Sequence, residues 1–248
     1  MNIFDIKKIL PMPIKKRLGL FYDFLYTKID EDMIKNLQEY YGLSRKEILH
    51  LLRSSGRLST DFWRCLNPKT EKDVKNFYEE NPFYVFELIF WHSTGYQRNL
   101  RQKFIAMLNG RVLDYGGGVG DLCIEIAKKG FEVDYADLQG RTFEFAKWLF
   151  SKKGRNIGII NLSAEKIYKK YDTILCIDVI EHVKDPKLLL KDFVDRLSDG
   201  GRLIITALHP DVSEEKPMHF EIKFDPENYL NSLGMVRNKD SFLWIKHS

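Results

Sequence analysis

From residue 110 onward, short apolar runs alternate with amphipathic stretches, and this alternation restricts the fold more than any other feature of the chain. "RVLDY", "FEVDYADL", "NIGIINL", "YDTILCIDV" and "RLIITAL" read as strands. "DLCIEIAKKG", "RTFEFAKWLFSKKG" and "DPKLLLKDFVDRLSDGG" read as helices, the first two stopped by glycine. Strands and helices that alternate in this way build a parallel sheet covered on both faces. The tail breaks the rhythm. "DPENYLNSLG" reads as a helix, and "MVRN" and "SFLWIKH" are strands too close together for a crossover, so they suit an antiparallel hairpin. The expected fold is α/β: a seven-stranded, mostly parallel sheet with one antiparallel C-terminal strand.

Residues 1–108 have a different texture, helical throughout. "DEDMIKNLQEYYGLSRKEILHLLRSSG" places Ile34, Leu37 and Tyr41, then Ile48, Leu51 and Leu52, at helical spacing, with Gly42 and Ser44 as the break. "TEKDVKNFYEENPFYVFELIFWHSTGYQRNLRQKFIAMLNG" adds two or three helices, with Thr70 as a cap, Pro82 as a restart and Gly95 as a bend. The expected organisation is a helical cap over 1–108 and an α/β domain over 109–248. Two short helices around a glycine are common in many folds, so the helix–turn–helix look carries little weight for DNA.

Composition excludes several classes. No apolar run approaches the roughly 18–20 residues that span a bilayer. The N-terminal apolar residues are interrupted by Lys7, Lys8, Pro11, Pro13, Lys15, Lys16 and Arg17, unlike a signal peptide. Cys65, Cys123 and Cys176 fit no metal or disulfide framework and suit a reducing compartment, so a cytoplasmic protein without a metal is expected. A net charge of +4 is too small to imply a nucleic-acid partner. The first 60 residues are basic, and Phe4, Phe21, Tyr22, Phe24 and Tyr26 lie among them. Such a segment suits either a peripheral contact with an anionic membrane or an ordinary solvated helix face.

"VLDYGGGVG" places Gly116, Gly117, Gly118 and Gly120 between the first strand and the first helix of the alternating region. Ligands of open parallel sheets bind beyond the carboxyl ends of the strands. Glycine lets a ligand approach the backbone there without a Cβ in the way. The dinucleotide fingerprint G-x-G-x-x-G fails, because its sixth position is Asp121, whose carboxylate would oppose a pyrophosphate.

The same residues resemble motif I of the class I S-adenosylmethionine-dependent methyltransferases, hydrophobic-hydrophobic-D/E-x-G-x-G-x-G. Further segments follow in the family's order: "VDYADL", "NLSAEKI", "YDTILCIDVIEHVKDP" and "LSDGGRLIIT". "IEHV" matches the E-H-V form common in methyltransferases of quinone and small-metabolite pathways. The resemblance covers about residues 105–248 and implies a Rossmann-like sheet and S-adenosylmethionine as cofactor. It implies cofactor contacts from Asp114, Tyr115, Gly116, Gly117, Gly118 and Gly120, and Asp137 on the ribose hydroxyls. Leu138, Ser163 and Ala164 would lie beside adenine, and Ile177 and Asp178 by the methionine portion. The family often has aspartate at the Ser163 position, and serine is the weaker acceptor. The cofactor carries a sulfonium and an ammonium but no phosphate, so acids around it are favourable.

The resemblance further implies methyl transfer by in-line displacement to a small-molecule acceptor, with an apolar or lipid-like metabolite as the favoured kind. Alternatives are RNA or protein as acceptor, or a module that binds the cofactor without transfer. A hydroxyl acceptor needs a base, and histidine suits that task near neutral pH. The candidates, in order, are His209, His182 and His219. Tyr84, His92 and Tyr96 have polar ends in the aromatic stretch 81–99 and are expected to line the cap over the cofactor, where an apolar pocket would exclude water.

Overall fold

The computed structural model describes residues 27–213, 216–239 and 242–247. The aromatic residues of the basic N-terminal segment, Phe4, Phe21, Tyr22, Phe24 and Tyr26, lie outside the described residues.

The described chain opens with helices α1 (Glu31–Tyr41), α2 (Arg45–Leu66), α3 (Glu71–Glu80), α4 (Tyr84–His92) and α5 (Gly95–Ala106). Their boundaries follow from local chemistry. Gly42 ends α1 in the left-handed conformation, and Ser44 and Glu47 form a reciprocal capping box at the start of α2. Thr70 caps α3 with Asp73 in the same way. Gly95, expected as a bend, is instead the first residue of α5, because the Thr94 hydroxyl accepts from Gln97 N and so caps a new helix.

The alternating region follows: β1 (Val112–Tyr115), α6 (Asp121–Lys128), β2 (Val133–Asp137), α7 (Arg141–Lys152), β3 (Gly158–Asn161), β4 (Tyr171–Cys176), a 3₁₀ turn (Ile180–His182), α8 (Pro186–Arg196) and β5 (Leu197–Ile205). Helix α9 (Pro226–Ser232), β6 (Met235–Arg237) and β7 (Leu243–Lys246) complete the fold. The sheet order is β3-β2-β1-β4-β5-β7-β6. Strands β1 to β5 pair in parallel, and β7 runs antiparallel to both β5 and β6. The expected seven-stranded sheet with one reversed strand is what forms. The expected helix "DPKLLLKDFVDRLSDGG" is shorter, however, because α8 stops at Arg196 and Leu197 already pairs with Tyr171. The register then jumps to Thr173 opposite Arg202, so residues 198–201 bulge out of the ladder.

Adjacent strand residues pack into opposite cores. Val112, Tyr135, Leu175 and Ile204 face one hydrophobic cluster, and Leu113, Ala136, Ile174 and Leu203 face the other. Burial on both faces explains why these strands read as continuous apolar runs. The first cluster also takes in Ile34, Leu37, Ile48, Val85 and Phe104 from the helical segment. The helical cap is thus joined to one sheet face by packing, and it reaches the carboxyl ends of β1, β2 and β4.

Candidate functional site

At those carboxyl ends lies a cavity of about 530 Å³. The glycine turn after β1 forms part of its wall. Gly116 and Gly118 have φ of 70° and 56°, which favour glycine. A Cβ on Gly116 would collide with Val179, and one on Gly117 would press 2.6 Å from the Tyr135 ring. Gly118 faces Leu88 of α4, so the cap closes directly over the bare backbone. Gly120 starts α6 and does not line the cavity; a Cβ there would strike Phe150, which makes it a packing glycine.

Asp137 ends β2 and faces this turn. Its Oδ2 accepts from Gly118 N at 2.7 Å and its Oδ1 from Leu138 N at 2.7 Å. Burial pushes its carboxyl up to about 7 despite these two bonds. Asp114 is buried beneath the turn and accepts from the Cys123 thiol at 3.1 Å, and burial raises its pKa too. Tyr115, Leu138 and Ile177 also line the cavity.

Asp178 is a non-glycine residue in the left-handed region, with φ of 53°. Its carboxylate accepts from Thr206 Oγ1 (2.8 Å), Gln97 Nε2 (2.8 Å) and Trp91 Nε1 (3.1 Å). The latter two belong to the helical segment, so the end of β4 is fixed by residues 87 and 81 positions upstream in sequence. Sequence reasoning missed Trp91, Gln97, Arg101, Tyr78 and Leu88 as lining residues. The aromatic density of 81–99 was the available signal for Trp91; nothing local marks the others.

The remaining expected residues divide. Tyr84, His92 and His182 line the cavity; Tyr96 does not and is 54% exposed. His92 is held by Asp121, 3.1 Å from Nδ1, beside the Arg101–Asp121 pair with its 2.7 and 2.9 Å bonds. Ser163 and Ala164 stand behind the wall. The Ser163 hydroxyl donates to Glu79 at 2.8 Å and accepts from Gln139 N, while Leu162 lines the cavity in its place. His209, the first of the expected bases, is exposed and does not line the cavity; its Nε2 lies 3.5 Å from Glu227. The chain after β5 turns outward through Ala207, with φ of 57°, and carries His209 to solvent.

His182 donates from Nδ1 to Met218 O at 3.1 Å, and His219 from Nδ1 to Asp211 O at 3.0 Å. A carbonyl only accepts, so in both rings Nδ1 carries the proton and Nε2 keeps its lone pair. Burial holds His182 down to about 4 and lowers His219 as well. Glu181 is buried, with Oε2 lacking any hydrogen bond, and burial followed by repulsion from Asp178 raises it to about 8. Glu181, His182 and His219 bring potential ligand atoms within 4.8 Å of one another, a donor set of metal-binding chemistry in which Glu181 joins two of the histidines expected as bases.

A family model described as a methyltransferase domain matches residues 90–234. The ubiquinone biosynthesis O-methyltransferase of Idiomarina loihiensis is 30% identical over 106 residues, covering 41% of this chain and 44% of that protein. The protein of the same description from Xanthomonas euvesicatoria is 25% identical over 160 residues, covering 58% and 67%. The chain thus spans about half the length of the curated relatives it matches. Among solved structures, magnesium protoporphyrin IX methyltransferase from Synechocystis PCC 6803 with bound SAM superposes with a TM-score of 0.50 at 20% identity, over 75% of this chain and 90% of that one. That likeness concerns the fold.

Proposed function

The chain belongs to the methyltransferase-domain family, and from that premise we propose that it transfers a methyl group from S-adenosylmethionine to a small-molecule acceptor. The observation that carries the reading is Asp137, a carboxylate at the end of β2 facing the side-chain-free turn Gly116–Gly118 within one cavity. Each Asp137 oxygen accepts one main-chain N–H and retains capacity for a ribose hydroxyl. The donor set suits a cationic cofactor without phosphate. Asp114, Asp137 and Asp178 line the cavity, and its arginine, Arg101, is committed to Asp121. Leu138 and Leu162 offer apolar surface for adenine, and Ile177 and Asp178 border the methionine end.

The bound cofactor supplies an electrophilic methyl group on a sulfonium, which leaves as a neutral thioether. The protein then has two tasks. The first is alignment under a dry cap, for which Leu88, Trp91 and Tyr84 provide the roof. The second is to accept a proton when the acceptor is a hydroxyl. His182 lines the cavity, and the bond from its Nδ1 to Met218 O leaves Nε2 as the acceptor nitrogen, which supports it as that base.

Isothermal titration tests the cofactor assignment. S-adenosylmethionine is expected to bind and NAD is not; the reverse result overturns the assignment. Labelled cofactor with cell extract tests transfer, with label expected in organic-extractable small molecules rather than in RNA or protein. Free Cys65, Cys123 and Cys176 suit a reducing cytoplasm, and no described helix is long and apolar enough to cross a membrane. The basic aromatic N-terminus supports a peripheral contact with anionic lipid. The full chain is expected to float with anionic vesicles at low salt, and to stay in solution when Lys7, Lys8, Lys15, Lys16 and Arg17 are neutralised.

A further inference from the structure

Tyr135 stands on β2 two residues before Asp137, so strand alternation sends both side chains to the same face. It does not line the cavity and is fully buried, packed against Phe143 (5.8 Å between ring centroids) and Phe150 (5.3 Å). Its ring lies against Gly117, where a Cβ would come within 2.6 Å of Cδ2. The missing side chain at 117 therefore makes room for a tyrosine rather than for a ligand. A phenylalanine would fill the same core. The hydroxyl is the one atom that packing does not require, and taking it out of water is costly unless it is bonded.

That hydroxyl donates to Gly118 O at 2.7 Å. Gly118 N donates in turn to Asp137 Oδ2 at 2.7 Å. Two residues of one strand thus hold the two polar main-chain groups of Gly118, one on either side of its Cα. Gly118 has φ of 56°, and glycine has the widest choice of alternative backbone conformations. Bonds at both ends remove that choice. Gly118 is buried, and without the phenol its carbonyl loses this donor. The carbonyl then turns towards the cavity for water, which draws Gly118 N away from Asp137.

We propose that Tyr135 is a positioning residue for the cofactor: through Gly118 it sets the spacing between the bare turn and the Asp137 carboxylate at which a ribose fits. The inference rests on the S-adenosylmethionine reading of the cavity and adds a residue that touches neither cofactor nor acceptor. The ionisable groups around Asp137 are Asp114 and Tyr115 of β1, Tyr84 of α4 and Tyr135 of its own strand. Burial, the largest effect, and Asp114 oppose its ionisation, while the main-chain bonds from Gly118 and Leu138 and the Tyr135 hydroxyl favour it. Loss of the hydroxyl therefore holds the Asp137 proton to higher pH, and the cofactor suffers most where that proton is hardest to release.

Calorimetric titration of the full chain with S-adenosylmethionine at pH 6.5 and 8.5 tests this in wild type, Tyr135→Phe, Asp137→Asn and the double variant. Tyr135→Phe is expected to weaken binding about fivefold to tenfold at pH 8.5, the loss of roughly one hydrogen bond, and by more at pH 6.5. In the Asp137→Asn background the same change is expected to alter affinity less than twofold, because the phenol acts through that carboxylate. A residue that merely props the core would weaken both backgrounds alike, and that result overturns the proposal, as does an unchanged affinity in Tyr135→Phe. Tyr135→Phe keeps the ring, so its melting temperature is expected within about 4 °C of wild type. Phe143→Leu loosens the same core without touching the hydroxyl. It is expected to melt lower than Tyr135→Phe yet to bind S-adenosylmethionine within twofold of wild type; an equal loss of affinity in the two variants also overturns the proposal. Failure of the wild-type protein to bind S-adenosylmethionine at either pH removes the cofactor reading and this inference with it, whereas normal wild-type binding with an unaffected Tyr135→Phe removes the inference alone.

Discussion

Asp137 accepts two main-chain N–H groups and still sits in surroundings dry enough to hold its proton to about pH 7. Ribose hydroxyls and a nearby sulfonium both favour the ionised carboxylate, so cofactor binding should release a proton. Affinity for S-adenosylmethionine is expected to rise as pH climbs from 6 to 8. Asp137→Asn should flatten that dependence, and Asp137→Ala should weaken binding tenfold or more, as read by calorimetry in buffers of different ionisation enthalpy. Glu87 on α4 presents the same physics without a ligand. Burial raises its carboxyl to about 7, and Oε2 has no partner. The fold holds this proton where the unfolded chain has released it, so stability is fully present below about pH 4.5 and is lost as pH rises towards 7. Glu87→Gln is expected to stabilise by about 2–3 kcal/mol at pH 8 and by little at pH 4.5, measured by denaturant unfolding at both values. The acid of β2 was legible in the sequence because it stands at a fixed place in an ordered set of motifs. Ser163 was not, because its hydroxyl is drawn away by Glu79, a contact that only the folded cap creates.

Among the elements, α2 and α4 pack closely because the facing surface of α2 is small. Ser55 and Ser59 are buried there, and Gly56 lies beside them. Gly56 itself is exposed, and a Cβ at this position would meet only Glu87 Oε1, at 3.9 Å. Glycine in a helix interior costs about 1 kcal/mol relative to alanine. Gly56→Ala should therefore raise the melting temperature by about 2–4 °C, the shift expected for about 1 kcal/mol in a chain of this size. At this scale the sequence was easiest to read. Helix caps such as Ser44 and Thr70 act within four residues, and strand runs are buried on both faces. The bulge at residues 198–201 escaped, because a register jump is set by the partner strand and leaves only a glycine pair as its local trace.

Taken whole, the molecule is tied across its two regions by charge as well as by packing. Arg101 of the cap, 6% exposed, makes a bidentate pair with Asp121 at the start of α6. Burial alone would raise the pKa of Asp121, but Arg101 and His92 hold it well below the usual carboxylate range. The carboxylate thus contributes stability above about pH 4 that is lost on further acidification. Asp121→Asn should cost about 3–5 kcal/mol by leaving a buried guanidinium uncompensated, and Arg101→Met with Asp121→Leu should recover most of that loss. Chemical denaturation of both variants checks the pair. Such links between residues 20 to 90 positions apart carry no periodicity, which is why the site's roof was visible only as aromatic density.

The three donors gathered on Asp178 also bear on how such a chain can be recombined. Trp91 and Gln97 come from one side and Thr206 from the other, and they meet on a carboxylate whose backbone is already twisted out of the ordinary range. A chimera that grafts this helical segment onto a relative's sheet inherits two donors aimed at a single oxygen. Unless the recipient also supplies an acid in that unusual turn, the graft leaves an indole and an amide stranded at the seam, and recombination between relatives should succeed only where both halves of the knot travel together.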